Sequence, residues 1–192
     1  MLTAAMDQAR SDPYPSVIAA ARRGDREAFA TLVMHFDGRM RGLAWRLLGD
    51  RQLMDDALQT AYLKALRGIG GFRGEAAIGT WFYRIVYNAC VDEIGRERRT
   101  TVLPLDEVAN AIDCAPDTAD LLARRAALAA ALSQLPPDQR AAVVLVDEEG
   151  YDYRSAAEVL GVPLGTLSSR LAHARAALRE ALGGAHLAGE ER

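Results

Sequence analysis

The 192-residue sequence has only two cysteines, Cys90 and Cys114, which lie far apart without CxxC or Cys/His spacing. This spacing predicts neither a disulfide framework nor a zinc site. Its three histidines are scattered, and no nucleophile motif or phosphate-binding glycine loop accompanies them. We therefore expect that the protein is not an enzyme. It should have no catalytic residue, bind no metal or cofactor, and act on no small-molecule substrate.

Long apolar runs are also missing. No stretch approaches the 18 uninterrupted apolar residues of a membrane-spanning helix, and residues 1–15 lack an apolar core with a cleavage pattern. The sequence therefore predicts a soluble, cytoplasmic protein.

β-Branched residues are few and aromatic residues make up 6% of the chain, whereas alanine, leucine and arginine dominate. This composition favours helix almost everywhere, so we expect an all-α protein. Apolar three- and four-residue steps predict a long helix from about Asp25, closed by Gly49 and Asp50. In the next helix, 51–67, the predicted buried side is Met54, Ala57, Leu58, Ala61 and Ala65.

Charge divides the chain more sharply than its net value of −3 suggests. Residues 16–48 carry +3, residues 67–99 carry +2 and residues 165–182 carry +2, but residues 100–120 hold five acids and no base. We expect two small helical domains, 16–99 and 121–182. A mostly extended, flexible acidic linker, 100–120, would join them.

The segment 153–178, YRSAAEVLGVPLGTLSSRLAHARAAL, has the spacing of a helix-turn-helix. Gly161 is expected to supply a left-handed turn, and Leu160, Leu167 and Leu171 a small core. The second helix would project Thr166, Ser168, Ser169, Arg170, His173 and Arg175 towards a DNA groove and its phosphates. A solvated face of a helical bundle is the alternative interpretation.

Aromatic and arginine residues alternate between residues 72 and 99. Rings stack on unpaired bases and guanidinium groups hold the backbone, as a surface for separated strands requires. Two core aromatics beneath a solvated basic face would explain the pattern equally well. The thirteen residues 68–80 contain five glycines and are predicted to form a loop, with Thr80 as the N-cap of the following helix.

Four runs occur in the order and spacing of one family: DDALQTAYLKAL, GFRGEAAIGTWFYRIVYNACVDEIGRERR, LSQLPPDQRAAVVLV and AAEVLGVPLGTLSSRLAHARAAL. They resemble successive parts of an extracytoplasmic-function (ECF) sigma factor, a promoter-recognition subunit of bacterial RNA polymerase. The resemblance covers about residues 16–182. The phrases DDALQ, RIVYNACVDE and QRAAVVLVDEEGY are most similar to the actinobacterial SigM-like subgroup.

The resemblance implies a division of labour in transcription initiation. In the N-terminal domain, the residues that match the helix binding the clamp of core RNA polymerase are Asp55, Asp56, Leu58, Gln59 and Tyr62. Ordinary solvation would also explain their polar members. The residues that match the promoter-melting and start-proximal recognition elements are Phe72, Arg73, Trp81, Tyr83, Arg84, Tyr87 and Asn88. An extruded base there needs a polar pocket with apolar walls.

The C-terminal domain resembles the part of the family that reads the distal promoter element and binds the polymerase flap. Its implied DNA contacts are Thr166, Ser168, Ser169, Arg170, His173 and Arg175. The acidic linker would thread the polymerase cleft, or it would simply be disordered. The family also implies an anti-sigma factor, often membrane-anchored, as a partner besides core polymerase and promoter DNA.

Two other classes of protein remain open at the level of sequence. A stand-alone regulator, such as a LuxR-like protein, would bind operators as a dimer through the helix-turn-helix. It would leave the rings and arginines of residues 72–99 without a purpose. A protein-interaction bundle without a DNA role would not explain the basic faces.

Overall fold

The computed structural model describes residues 15–100 and 119–187, and within these ranges every regular element is helical. The N-terminal domain contains α1 (Pro15–Arg22), α2 (Arg26–Leu48), α3 (Arg51–Gly68), a 3-10 turn (Ile69–Gly71) and α4 (Ile78–Thr100). The C-terminal domain contains α5 (Ala119–Gln134), α6 (Pro137–Val143), a π-helical segment (Val144–Glu148), α7 (Tyr153–Leu160) and α8 (Leu164–Leu187). The predicted all-α class is confirmed. Most of the predicted acidic linker, 101–118, lies outside the described residues.

Local capping signals set the ends of α2 and α3. The Asp25 carboxylate accepts hydrogen bonds from the Glu27 and Ala28 amides, and Asp50 accepts one from the Leu53 amide. Gly49 ends α2 in the left-handed conformation, with φ 66°. Side-chain acceptors satisfy free amides at a helix start, and glycine adopts positive φ without strain. The predicted boundary at Gly49 and Asp50 is confirmed.

Helices α2, α3 and α4 pack around one apolar core, with the short α1 against α2. All five side chains predicted to face inward from α3 are buried, as are Leu32, Met40 and Phe82 from the neighbouring helices. Helix α1 contributes Ile18 and Ala21 to this core and was not among the predicted elements. The N-terminal domain is thus a small bundle in which α3 and α4 present long outer faces.

The predicted start of α4 was wrong. The helix begins at Ile78, and Thr80 lies inside its first turn, where its buried side chain hydrogen-bonds the Tyr151 hydroxyl. The preceding glycine-rich stretch is a loop only in part, because Ile69–Gly71 forms a 3-10 turn. Ile78 is completely buried, and Gly79 packs closely on the Phe36 ring. These contacts extend α4 towards its N-terminus, past the start predicted from Thr80.

The helix-turn-helix is confirmed. Asp152 caps α7 through the Ser155 amide, and Gly161 ends it with φ 66°. Behind the turn, the packed side chains of the motif are Leu160, Leu167 and Leu171, all at most 7% exposed. Val162 is half-buried and packs on the same core. The two helices therefore hold one fixed angle, and the outer face of α8 stays accessible.

We expect Gly161→Ala to destabilise the protein by roughly 1 kcal/mol, measured by thermal unfolding. A Cβ at this position would meet nothing within 4 Å, so the loss would come from the positive φ alone. Gly95→Ala is the matched control, since Gly95 lies inside α4 with equally open space and no positive φ. The control should be neutral or stabilising, and equal losses in both variants would contradict this account.

The two domains pack against each other. Helix α4 contacts α7, and α2 contacts α5, α6 and the π-helical segment. The Arg140 guanidinium crosses this boundary, donating to the carbonyl oxygens of Arg46 and Leu47 at the end of α2. Its other terminal nitrogen donates to the carbonyls of Ser133 and Leu135 in its own domain. Burial lowers the Arg140 pKa, and four carbonyl acceptors compensate the buried cation.

Candidate nucleic-acid interface

A groove of about 440 Å³ opens where the glycine-rich segment meets the first turns of α4. Phe72 and Trp81 form its apolar wall, with ring centroids 5.6 Å apart, and Trp81 packs edge-on against Phe82 at 5.2 Å. Arg73 and Arg84 stand exposed on the groove. Arg73 lies 3.8 Å from a carboxylate oxygen of the exposed Glu75. A half-exposed indole beside two exposed guanidinium groups can stack on an unpaired base and hold its backbone.

Two glycines shape this groove. A Cβ on Gly68 would lie 3.4 Å from the Trp81 ring, so the missing side chain lets the indole lie close to the backbone. Gly74 has φ +75° and turns the chain between Phe72 and α4. The predicted loop role of these residues is therefore retained around the groove, although the segment is partly helical.

The tyrosines of α4 do not lie where a DNA-facing role would place them. Tyr83 is 1% exposed and Tyr87 is 8% exposed, because α7 and its flanking residues cover this side of α4. The Tyr83 hydroxyl donates to a Glu149 oxygen at 2.7 Å, and its ring contacts Tyr151. Burial raises the pKa of Tyr83 and of Tyr87, so both hydroxyls stay protonated. Asn88, the remaining predicted residue, is exposed.

The outer face of α3 carries the residues that the resemblance assigned to polymerase binding. Asp55, Asp56 and Gln59 are exposed, and Asp55 pairs with Arg41 at 3.0 Å. Tyr62 is half-buried and donates to Asp37; burial raises its pKa. Leu58 is 1% exposed and belongs to the domain core, so it supports this face from beneath instead of lying on it.

Sequence reasoning missed two apolar residues on the outer side of α3. Leu63 is 48% exposed and Leu66 is 41% exposed. Val91 on α4 is exposed to the same extent as Leu66, 41%. Their signal was present, because leucines at positions 63 and 66 are out of phase with the buried alanines of α3. Apolar side chains beside the exposed acids give this face the character of a protein-binding surface.

Helix α8 presents a mixed outer face. Ser168, Ser169 and His173 are exposed and Thr166 is half-buried. Both serine hydroxyls donate to carbonyls of their own helix. Arg170 pairs with Asp138 at 3.0 Å. Arg175 donates to both Asp147 oxygens, at 3.0 Å from Nε for one of them, and to the Tyr153 hydroxyl at 3.2 Å.

Other kinds of site find no support in the described ranges. Among residues 15–100 and 119–187, no cluster of histidine, cysteine or acidic side chains could hold a metal ion. The same residues include no helix that is both long and apolar enough for a membrane span. Cys90 is buried, and burial raises the pKa of its thiol to about 12, so it serves as a small core residue. Cys114 lies outside the described residues.

Both domains match families of known proteins. Residues 32–100 match the family described as Sigma-70 region 2, and residues 125–178 match Sigma-70 region 4. The chain is 41% identical to the ECF RNA polymerase sigma factor SigM of Mycobacterium tuberculosis, over 91% of this chain and 86% of that protein. It is 34% identical to the RNA polymerase sigma-H factor of Pseudomonas aeruginosa, over 95% of this chain and 96% of that protein.

A solved structure has the same architecture. The sigma factor RpoE of Bartonella quintana, crystallised with the anti-sigma factor NepR, superposes with a TM-score of 0.69 at 25% identity. The similarity covers 81% of this chain and 96% of that one. Two domain matches in the expected order, together with 41% identity along most of the chain, agree with the resemblance noted in the sequence. The chain therefore belongs to the ECF family of RNA polymerase sigma factors.

Proposed function

We propose that this protein is a transcription initiation factor that binds core RNA polymerase, directs it to specific promoters and melts the start-proximal element. One observation carries the proposal: a single chain combines a ring-lined groove suited to an unpaired base with a separate helix-turn-helix. A stand-alone operator-binding regulator would need only the second of these. Membership of the ECF family supports the same choice.

In this proposal the outer face of α3 binds the polymerase. Asp55, Asp56 and Gln59 supply exposed polar contacts, and Tyr62 adds a half-exposed ring. Leu58 holds the helix in place from the core. Exposed apolar side chains at Leu63 and Leu66 would lose water on binding, a contribution that exposed ion pairs alone do not provide.

The groove before α4 would receive a base extruded from the melted promoter. Trp81 and Phe72 provide the apolar walls, and Arg73 and Arg84 provide donors for backbone and base. Asn88 is exposed further along α4 and would offer its amide to the strand beyond the groove. Tyr83 and Tyr87 would join this surface only where α7 no longer covers them. Base extrusion is favourable only if stacking and hydrogen bonds replace those lost in the duplex.

We propose that the outer face of α8 is the second recognition surface and that it reads the distal promoter element. Its candidate contacts are Thr166, Ser168, Ser169, Arg170, His173 and Arg175. Neutral histidine offers one donor and one acceptor in place of the bidentate arginine fork that suits guanine. Because the helix has few cations, DNA affinity should depend on the polymerase holding both domains on one promoter.

An anti-sigma factor is the proposed regulatory partner, by analogy with the sigma factor that was crystallised with NepR. We propose that this partner is membrane-anchored and that the sigma factor itself acts in the cytoplasm. The predicted domains are 16–99 and 121–182, with the linker 100–120 between them. Such a partner would cover the polymerase-binding surfaces of both domains together.

Reconstitution tests the proposal directly. Purified protein is added to bacterial core RNA polymerase with a randomised promoter library, and transcripts are sequenced, with protein alone and core enzyme alone as controls. We expect transcription from a small set of related sequences only when both components are present. Sequence-specific binding as a dimer without polymerase, and no transcription with it, would favour the stand-alone regulator.

We expect the double variant Asp56→Ala/Gln59→Ala to weaken association with core polymerase by roughly tenfold or more, since interface polar groups that lose their partners are costly. Surface plasmon resonance on immobilised core enzyme would measure it. The matched control is Glu27→Ala/Gln134→Ala, which removes one carboxylate and one amide from exposed positions away from this face. An unchanged affinity for the first variant, or an equal loss in both, would argue against α3 as the binding helix.

A further inference from the structure

Four exposed arginines that none of the proposed contacts uses lie near the ring-lined groove. Arg22 ends α1, Arg23 follows it in the turn, Arg26 begins α2, and Arg67 lies in the last turn of α3. Within residues 15–100 and 119–187, none of the four pairs with a carboxylate. We call Arg22, Arg23, Arg26 and Arg67 the basic rim. Its guanidinium groups are therefore available to an anionic partner.

The 3-10 turn Ile69–Gly71 connects the basic rim to the groove. Arg67 precedes this turn by one residue, and α1 packs against it. A Cβ on Gly70 would lie 3.6 Å from the carbonyl oxygen of Arg22, so the turn and the end of α1 are in close contact. The next residue, Gly71, lines the groove. A strand that leaves the groove over this turn therefore meets the rim at once.

Helix stability does not account for this concentration of positive charge. The dipoles of α1 and α3 favour cations at their C-terminal ends, where Arg22 and Arg67 lie, but the dipole of α2 disfavours Arg26 at its start. Two acids accompany the rim, Asp25 and Glu27, and the Asp25 carboxylate is occupied by the amides that it caps. Four cations and two acids leave these six residues with a charge of +2.

The groove itself is less suited to phosphates than the rim. It offers the Trp81 ring to a base, but Glu75 and Glu158 also line it, and their carboxylates repel the phosphates of neighbouring nucleotides. The 3-10 turn contains no acid. Guanidinium groups bind phosphate oxygens through two parallel hydrogen bonds. The favourable path for the backbone of a stacked nucleotide therefore runs over the turn towards the rim.

We propose that the basic rim binds the sugar-phosphate backbone of single-stranded DNA, at the nucleotides next to the base that stacks on Trp81. Helix α1 then acts as a positioning element, because the buried Ile18 and Ala21 hold Arg22 beside the 3-10 turn. The match to Sigma-70 region 2 covers residues 32–100, so α1 lies before it. Backbone contacts of this kind add affinity and salt dependence without base preference.

This inference rests on the proposed function only for the source of the strand, which would be a melted promoter. Binding of single-stranded DNA by the rim does not require polymerase. The full chain can therefore be tested by itself, with a DNA probe of arbitrary sequence.

The double variant Arg22→Gln/Arg67→Gln tests the rim, since glutamine keeps a polar side chain and removes the charge. Fluorescence anisotropy measures binding of a labelled oligothymidine of about ten nucleotides over a range of salt concentrations. We expect several-fold weaker binding at low ionic strength. The slope of log affinity against log salt concentration should become shallower by roughly 1.4, because each phosphate contact on a single strand contributes about 0.7.

The matched control is Arg51→Gln/Arg179→Gln, which removes the same charge from two other exposed positions. Arg51 lies at the opposite end of α3 from Arg67, roughly 24 Å away. The control should keep nearly the parent slope. Equal changes in both variants would assign the effect to net charge, and an unchanged slope in the rim variant would show that its arginines contact no phosphate. Either result overturns the proposal.

A second measurement asks whether the rim and the groove hold one strand. In a Trp45→Phe background, Trp81 is the remaining tryptophan, and quenching of its fluorescence reports a stacked base. A thymidine trinucleotide, which extends little beyond the groove, should quench the parent and the rim variant at similar concentrations. The longer oligothymidine should require several-fold more DNA with the rim variant. Equal losses at both lengths, or none at either, contradict a continuous path.

These results separate the rim from the transcription role. Failure of the chain to bind core polymerase would remove the proposed function and leave the salt slopes and the quenching intact. A functional sigma factor whose rim variant keeps the parent slope would retain its role and lose the basic rim. Thermal unfolding should be nearly unchanged in both double variants, because all four substituted side chains are exposed.

Discussion

Replacing Trp81 by alanine is expected to reduce promoter opening by roughly one to two orders of magnitude, because a base stacked on an aromatic ring contributes about 1–3 kcal/mol. The indole is the half-exposed wall of the groove before α4, in contact with Phe72 and Phe82. It lies on a different helix from the proposed polymerase-binding face of α3, so association with core enzyme should change little. Permanganate footprinting on a library-selected promoter measures opening.

Trp45→Ala is the control for the loss of a large ring. Trp45 is also partly buried in the N-terminal domain, but it lies on α2 and does not line the groove. Both variants lose packing, and only the Trp81 variant should lose opening at a temperature where both are folded. Parallel losses of opening and polymerase binding in Trp81→Ala would contradict a role on the melted strand.

Truncation of Leu167 to alanine is expected to cost about 2–5 kcal/mol of unfolding free energy, since its side chain is fully buried between α7 and α8 and a cavity would remain. Denaturant unfolding followed by circular dichroism measures this loss. The helix-turn-helix has few other large core residues, so the C-terminal domain should lose its structure first.

The matched control lies three residues earlier on the same helix. Leu164 is 53% exposed, and Leu164→Ala should change stability by no more than about 0.5 kcal/mol. Similar costs for the two variants would show that the motif is not held together by the Leu160, Leu167 and Leu171 cluster. Loss of distal-element recognition should accompany Leu167→Ala even where the N-terminal domain remains folded.

Features set by local chemistry were predictable from sequence. Asp25, Gly49, Asp50 and Gly161 act on backbone groups within a few residues, and each ends or begins a helix where its chemistry predicts. The buried stripe of α3 followed equally from helical periodicity, because one bundle core determines which side of that helix faces inward.

Features set by distant contacts were not predictable in this way. The start of α4 depends on Ile78 and Gly79 packing against α2, and no capping signal at Thr80 overrides that burial. Tyr83 has the helical position of a surface ring, but its partner Glu149 lies 66 residues later in the sequence. Periodicity describes one helix at a time and cannot show that a second domain covers its outer face.

In the candidate site, too, some features were predictable from the sequence and others depended on distant contacts. Family resemblance brought together Phe72, Trp81 and Arg84, and the structure places them on one groove. It also assigned Arg170 and Arg175 to DNA, whereas both guanidinium groups pair with carboxylates of their own domain. Those carboxylates, Asp138 and Asp147, have no distinctive spacing in the sequence, so the pairing was visible only once the helices were packed.

The bonds of Arg140 also bear on how the protein is made. The carbonyls of Arg46 and Leu47 at the end of α2 receive their donor from a residue 94 and 93 positions later. A ribosome will therefore have synthesised the whole N-terminal domain before this donor leaves the exit tunnel. During that interval the end of α2 keeps the hydrogen bond from the Gly49 amide to the Trp45 carbonyl but lacks the Arg140 donor, so we expect it to fray more readily during synthesis than in the finished protein.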